Sequence, residues 1–391
     1  MQHRTTVTSV RQLASIFRFF AAMTGITAPV AASAEEQRSV DLGGSYTSDT
    51  FANLSGGQAR GLRQMGLLEI TAQADLAVVG VDGAEAYLSV QHVHGESLSG
   101  DLVGDAQVVS NIEAGDGLRL FEAWVSLPLA RDVTVKAGLI DLNGIFDVQE
   151  IGELFISSSH GIGPDFSQSG LNGPSIFPTT SVAVVALWEG EGVAARAGLF
   201  DAVAGDPGRP GRTVIRLPGD TGVLMVGEGE IKVGAEAQVQ LGAWAYSTGF
   251  ERLRQDGAGI PTSDGSSRGG YAMVEGRFGS LGRHPLNGWL RAGIASAAVN
   301  PIALYIGGGL ALGDEKSRWG VAIAHARLGA PGRAAGGVSA ERAETAIELT
   351  HARAIGKYVT VQPTVQYVVN PGWDWELRNA LVAGVRVALQ H

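Results

Sequence analysis

YVTVQPTVQYVV, residues 358–369, alternates with a period of two. Val359, Val361, Pro363, Val365, Tyr367 and Val369 share one face, and Tyr358, Thr360, Gln362, Thr364 and Gln366 share the other. Alternation over this length predicts an extended strand whose two faces meet different surroundings. The last segment repeats it, with Leu381, Ala383, Val385, Val387 and Leu389 set against Arg386 and Gln390. Working back along the chain, Ile347 and Leu349 oppose Glu348 and Thr350, and Ala272, Val274 and Phe278 oppose Glu275 and Arg277. Between residues 233 and 245, Val233, Ala235, Ala237, Val239, Leu241 and Ala243 oppose Glu236, Gln238, Gln240 and Trp244. Phe121, Ala123, Val125 and Leu127 oppose Glu122, Trp124 and Ser126. The number of such segments carries the reading, because many outward positions are only Ala or Gly.

Tight-turn chemistry punctuates these strands at Gly80-Val81-Asp82-Gly83, Gly313-Asp314 and Asn370-Pro371-Gly372, where Gly, Asn, Asp and Pro supply the backbone angles required. VKAGLID (135–141) and ARAGLFD (195–201) each turn a cation inward and end in Asp. Nothing around them aligns, so they read as a convergent strand-end pattern and not as a repeat. The stretch 146–177, FDVQEIGELFISSSHGIGPDFSQSGLNGPSIF, breaks the alternation. Its part 147–155 could form a short helix, and the rest is rich in Gly, Ser, Asn and Pro. It is too long for a hairpin turn, and long connections tend to be functional.

The chain opens like an export signal. His3, Arg4, Arg11 and Arg18 precede any acid, an apolar run follows from Phe19 to Val30, and Ala32-Ser33-Ala34 offers small residues for cleavage. Residues 1–34 therefore read as a secretory signal peptide, and 35–391 as the mature domain. The apolar run is too short and too interrupted to span a bilayer, and no later stretch has about 18 consecutive apolar residues. Three of the 29 Lys and Arg fall in the signal and none of the 39 Asp and Glu, so the mature chain is more acidic than the overall net charge of −10. Nucleic-acid binding needs a basic face and is disfavoured. There is no cysteine, which suits passage through an oxidising compartment and excludes thiolate metal sites and cysteine nucleophiles.

An exported, alternating chain has two homes: a soluble β-rich protein such as a sugar hydrolase or lectin, or a transmembrane barrel whose strands put apolar residues to lipid and polar residues to the lumen. Rows of inward polar side chains are wrong for a soluble apolar core. At roughly 20 residues per strand with its share of connection, the mature length suggests about 16 strands.

At this point the chain resembles the OprB-type carbohydrate-selective porins. The resemblance is carried by VDLGGSYT (40–47), LSGGQARGLRQMGLLEITAQADL (54–76), HGESLSGDLVGDAQVVSNIEA (94–114), RLFEAWVSLPL (119–129), AGLIDLNGIFD (137–147), ELFISSSHGIGPDFS (153–167), GPSIFP (173–178), VQPTVQYVVNPG (361–372) and NALVAGVRVAL (379–389). It spans nearly all of the mature chain in family order. It implies an all-β fold: a closed antiparallel transmembrane barrel of sixteen strands, with both termini in the periplasm and inward loops constricting a water-filled, sugar-permeable channel. A Gram-negative outer membrane, with its lipid and lipopolysaccharide, periplasmic chaperones and barrel-assembly machinery, and a monomeric or homotrimeric state belong to the same expectation.

Selectivity in such a channel comes from diameter, hydrogen-bonding groups and charge. The inward positions Glu122, Trp124, Arg196, Glu236, Gln238, Glu275, Arg277, Arg291, Glu348, Gln362, Gln366 and Arg386 supply mixed charge, amide donors and an aromatic face, which suits small neutral sugars of the glucose type. Each inward Arg or Glu could instead brace the wall through salt bridges, and Trp124 could equally sit on the lipid face or at an interface, where Trp is enriched. A phosphate channel should show clustered lysines, yet only Lys136, Lys232, Lys316 and Lys357 follow the signal. The alternatives are a channel for other solutes and a structural barrel with a closed lumen.

Catalytic readings are weak, and neither enzymatic activity nor a cofactor is expected. His92 and His94 lie two apart on one strand face, and two ligands make no zinc shell. His325 and His351 are isolated. Asp141 and Asp201 could imitate a glycosidase pair, which needs a defined separation across a cleft. Gly307-Gly308-Gly309 is followed by no Lys-Ser or Lys-Thr and is no phosphate loop.

Overall fold

The computed structural model describes residues 40–391 apart from 207, 210, 216–220, 254–264, 336–340 and 391; the expected signal segment 1–34 lies outside the described residues. Sixteen strands close into one barrel: β1 (Val40–Ser55), β2 (Gly61–Asp75), β3 (Glu85–Gly95), β4 (Gly117–Ala130), β5 (Val133–Ile140), β6 (Ser181–Glu189), β7 (Val193–Asp201), β8 (Val223–Val233), β9 (Ala237–Phe250), β10 (Gly265–Leu281), β11 (His284–Ala295), β12 (Ile302–Asp314), β13 (Ser317–Leu328), β14 (Ala343–Ile355), β15 (Val359–Val369) and β16 (Ala380–Gln390). Every strand pairs antiparallel with its sequence neighbours, and β1 closes on β16 from Ser45 opposite Gln390 to Ser55 opposite Leu381. Closure leaves no free edge, which a sheet in hydrocarbon requires. No helix among the described residues is long and apolar enough to cross a membrane.

Alternation sorts side chains into two populations. Leu241, Leu290, Ile323, Leu349 and Val365 point outward and are exposed, whereas Gln240, Glu275, Arg291, Glu348 and Gln366 point inward and are buried. A soluble monomer rarely exposes so continuous an apolar surface; a barrel wall in lipid must. One end of the barrel carries short turns such as 131–132, 282–283 and 315–316, and the other carries long connections, above all 96–116 and 141–180. Both described chain ends fall at the short-turn end, as an even strand number dictates.

Three expectations are corrected. The run 233–245 is not one strand: residues 234–236 turn between β8 and β9, so Glu236 leaves the wall. Arg277 sits beside that turn and pairs with Glu236 at 2.9 Å, both exposed at the short-turn rim. Phe121 is buried, not outward: Ser89 pairs with Glu122 and Val90 with Leu120, so Phe121 is the extra residue of a bulge. A bulge shifts side-chain parity by one residue, which strict alternation cannot foresee. The helix suggested at 147–155 reduces to the single turn Gly152–Leu154.

Candidate functional site

The long segment 141–180 runs inside the barrel. Phe146, Phe155 and Phe166 are fully buried against wall aromatics. Phe155 meets Trp289 at 5.1 Å, and Phe166 stacks on Trp244 at 4.9 Å between ring centroids. Wall polar groups take up its backbone. Glu348 accepts from the N–H groups of Ile156 and Ser157 at 2.9 and 3.0 Å. Gln362 donates to the Leu154 carbonyl at 2.6 Å, Glu275 accepts from Ile151 N–H at 3.2 Å, and Tyr305 donates to the Ser159 carbonyl at 2.6 Å.

The strongest tie is ionic. The Arg291 guanidinium forks onto Asp147 at 2.7 Å and reaches Asp165 at 2.6 Å, with all three side chains fully buried. The Tyr271 and Tyr305 rings lie about its carbon at 5.0 and 5.4 Å. Gly163 and Gly293 border this triad, and a Cβ on either would collide with Arg291 or Asp165. Asp147 holds a left-handed φ of 55°, a conformation short polar side chains tolerate better than most. Its N–H donates to Glu228 at 2.8 Å, and Glu228 also accepts from Tyr271 at 2.6 Å and pairs with Arg196. Arg196 pairs again with Glu230 at 2.7 Å. One network thus links β7, β8, β10 and β11 to the inner segment.

The segment 96–116 lines a second arc. Glu344 accepts from the N–H groups of Ala106, Gln107 and Gly372 at 2.9, 3.0 and 2.6 Å. Burial and the nearby Glu344 push the Asp105 carboxyl up to about 8. Gln366 donates to the Val109 carbonyl at 2.9 Å. Arg386 forks onto Asp49 at 2.7 Å and donates to Asn111 at 2.7 Å. The two segments join through Asn111 N–H to the Ile156 carbonyl at 2.8 Å.

The inner wall of β2–β5 is different. Glu69, Gln73, Tyr87, Glu122 and Lys136 face inward and stay part-exposed. Glu69 accepts from Ser89 and Gln91 at 2.6 and 3.0 Å. Trp124 is inward, with Lys136 Nζ 3.6 Å from its ring centroid and Tyr87 stacked at 5.1 Å. Its Nε1 donates to Glu122 at 3.1 Å, and Glu122 also accepts the Asp141 N–H at 3.1 Å.

Of the twelve sequence-derived positions, Glu122 and Trp124 fall in this cluster. Arg291, Glu275, Glu348, Gln362, Gln366 and Arg386 hold the inner segments, Arg196 joins the ion network, and Gln238 donates to Glu275 at 2.8 Å. Glu236 and Arg277 lie at the rim. Glu69 and Tyr87 escape the sequence reading, and Lys136, read there as an inward cation, is not among its site positions. Parity was available for them: Glu69, Thr71 and Gln73 alternate with Leu68, Ile70 and Ala72, and Tyr87, Ser89 and Gln91 alternate with Ala86, Leu88 and Val90. His92 and His94 point outward, and among the described residues no three His, Asp or Glu gather as a metal site.

The family model for the carbohydrate-selective porin, OprB family, matches residues 59–390. The chain belongs to this family. Among solved structures it is similar to Pseudomonas putida OprB at high pH, with 19% identity, a TM-score of 0.79, and coverage of 90% of this chain and 94% of that one. The low-pH structure of the same protein gives 14% identity, a TM-score of 0.57, and coverage of 90% and 93%. A loop-deletion mutant of OmpT, an outer membrane protein of Vibrio cholerae, gives 12% identity, a TM-score of 0.51, and coverage of 90% and 99%. A search of curated proteins found no match. This OprB-family chain is a sixteen-strand porin barrel for passive carbohydrate passage.

Proposed function

We propose that the chain stands in the outer membrane of a Gram-negative bacterium, exported by residues 1–34, with its long connections outside and its short turns in the periplasm. It passes small glucose-like sugars between the β2–β5 wall and the inner segments, without catalysing a reaction. The observation that carries this reading is the unequal cover of the lumen. Glu275, Tyr305, Glu344, Glu348, Gln362 and Gln366 on the opposite wall are bonded to loop backbone, whereas Glu69, Tyr87, Glu122 and Lys136 stay part-exposed, Glu122 taking a single loop N–H from Asp141. A sugar presents hydroxyls that donate and accept, and C–H faces that pack on rings. Glu69 and Glu122 accept, Lys136 donates, and Tyr87 offers a ring. Trp124, nearly buried under Lys136 and Tyr87, holds them in position.

Single-channel current through the purified protein in a planar bilayer, recorded during glucose titration, tests this. Saturable block is expected, and Tyr87→Ala or Glu122→Gln should raise the half-blocking concentration roughly tenfold, the equivalent of about 1.4 kcal/mol. Block untouched by either substitution sinks the site. Current indifferent to every sugar sinks glucose-type binding, and a folded barrel without current means a closed lumen.

A further inference from the structure

Elsewhere in the lumen, carboxylates meet a cation or a set of loop N–H groups. Glu228 and Glu230 pair with Arg196, Asp147 and Asp165 with Arg291, and Asp49 with Arg386. Glu344 and Glu348 each take two or more loop N–H groups. The wall of β2–β5 supplies less. Glu69 accepts from the neutral side chains of Ser89 and Gln91, both at Oε1, which leaves Oε2 for another donor. Glu122 accepts from Trp124 Nε1 and from a single N–H, that of Asp141. Lys136, the cation of this wall, lies over the Trp124 ring at 3.6 Å from its centroid, and among the described residues it pairs with no carboxylate.

A second observation falls in the same place. Gln91 is 5% exposed, and its Nε2 donates to Glu69 at 3.0 Å, so its amide lies against that carboxylate. Its Oε1 is buried and receives no hydrogen bond among the described residues. A buried acceptor without a donor is uncommon and calls for a partner. This one stands beside a carboxylate with an oxygen to spare, so the partner that suits both is a donor carrying positive charge. The strands set the rest of the frame. Gln91 lies opposite Glu69, Ser89 opposite Glu122, and Tyr87 opposite both Gln73 and Trp124. Acceptors, an ammonium and an aromatic ring thus occupy adjoining positions.

A bare metal ion would use the oxygens and leave the ring and Lys136 without a role. A neutral sugar would use the ring and the hydroxyl partners and leave the charge of Glu69 unanswered. A sugar phosphate would bring a further anion to Glu69 and Glu122. A protonated amino sugar uses every group. We propose that the open wall prefers amino sugars, hexoses carrying an ammonium group, over neutral sugars. The ammonium binds Glu69 Oε2 and the Gln91 oxygen, the hydroxyls meet Glu122 and Lys136, and the sugar ring packs on Tyr87. Charged groups facing a pore select solutes in this way. Such selection rests on the reading of this wall as the sugar passage, and adds the charge of the sugar it favours.

The test uses the full-length protein in a planar bilayer at about pH 6, where an amine of this kind is protonated. Glucosamine, glucose and N-acetylglucosamine are the blocking sugars. Glucosamine should half-block the current at a concentration about tenfold below either neutral sugar, the difference that one charge-assisted hydrogen bond makes. Glu69→Gln should collapse that ratio to about twofold or less. Glu236→Gln, the same charge change at the exposed rim, should keep it. Equal half-blocking concentrations for all three sugars, or a ratio that survives Glu69→Gln, overturns the preference and leaves sugar passage standing. No block by any of the three overturns sugar binding at this wall, and the preference with it. Independently, wild type under a potassium chloride gradient should show a reversal potential of the sign given by K⁺ passing ahead of Cl⁻. Equal or anion-led permeation overturns the preference, whether or not Glu69→Gln folds.

Discussion

The β10–β16 wall and the β2–β5 wall read alike in sequence and do different work. In the first, Glu275, Arg291, Glu348, Gln362 and Gln366 each bind the backbone or carboxylates of an inner segment. In the second, Glu69, Tyr87, Glu122 and Lys136 contact mainly wall neighbours and keep part of their surface open. The difference follows from what faces each arc. Glu344 and Glu348 each take two or more loop N–H groups and are fully buried as anchors, whereas Glu122 takes one, from Asp141, and Glu69 takes none, and both keep part of their surface open to solute. Inward polarity is thus a property of the strand, and its use is a property of the loop across from it.

Removing Arg291 should break the comparison most severely. Arg291→Met leaves Asp147 and Asp165 as buried carboxylates without their cation, a loss of about 3–5 kcal/mol for one side of such a pair. The barrel should persist, residues 141–180 should become protease-sensitive, and single-channel conductance should rise. Unchanged conductance and protection would mean that the apolar packing of Phe146, Phe155 and Phe166 suffices alone.

Glu348→Gln keeps the shape and weakens two charge-assisted bonds, worth about 1.5–3 kcal/mol for hydrogen bonds to a charged group. Amide exchange at Ile156 and Ser157 should accelerate by a corresponding factor, with Leu241 and Val365 on the wall unaffected. Exchange spreading to the wall strands would show that the inner segment and barrel are one cooperative unit.

His160 sharpens the comparison through pH. It is fully buried beside Phe155 and Trp289, and burial pushes its imidazole down to about 3. The docked segment therefore binds fewer protons than the undocked one. Docking should be unaffected above the ordinary histidine range near 6.5 and weaken as pH falls from there toward about 3, reaching about 2 kcal/mol near pH 5. Neither ring nitrogen has a hydrogen-bond partner, so His160→Leu should dock as well at neutral pH. Protection of 141–180 measured against pH should separate wild type from variant only below about 6.5; parallel curves would exclude histidine as the cause.

The smallest effect is expected on the open wall. Lys136→Met removes a cation–π contact worth about 0.5–2 kcal/mol and an ammonium donor. Thermal stability should fall slightly, while the half-blocking glucose concentration should rise several-fold. A large stability loss with unchanged block would recast Lys136 as a brace for Trp124.

Much of this was legible beforehand. The alternation at 358–369 and 381–389 yields β15 and β16 with the correct faces, because a period of two needs only local geometry. Glu122 and Trp124 were assigned inward on shared parity and are inward. Parity misled where the backbone departs from regularity: at Phe121, where a bulge adds a residue, and at Glu236, where an alternating run hides a turn. The Arg291 triad was out of reach, since its members lie 126 and 144 positions apart along the chain.

By itself, then, the amino-acid order determined an all-β barrel of about sixteen strands, its lipid and lumen faces, and its family, because strand periodicity and family blocks are written along the chain. Which inward side chains anchor a loop and which stay open was decided only by the tertiary structure. That outcome depends on where residues 96–116 and 141–180 come to rest, and the partners that hold them there are brought together by barrel closure.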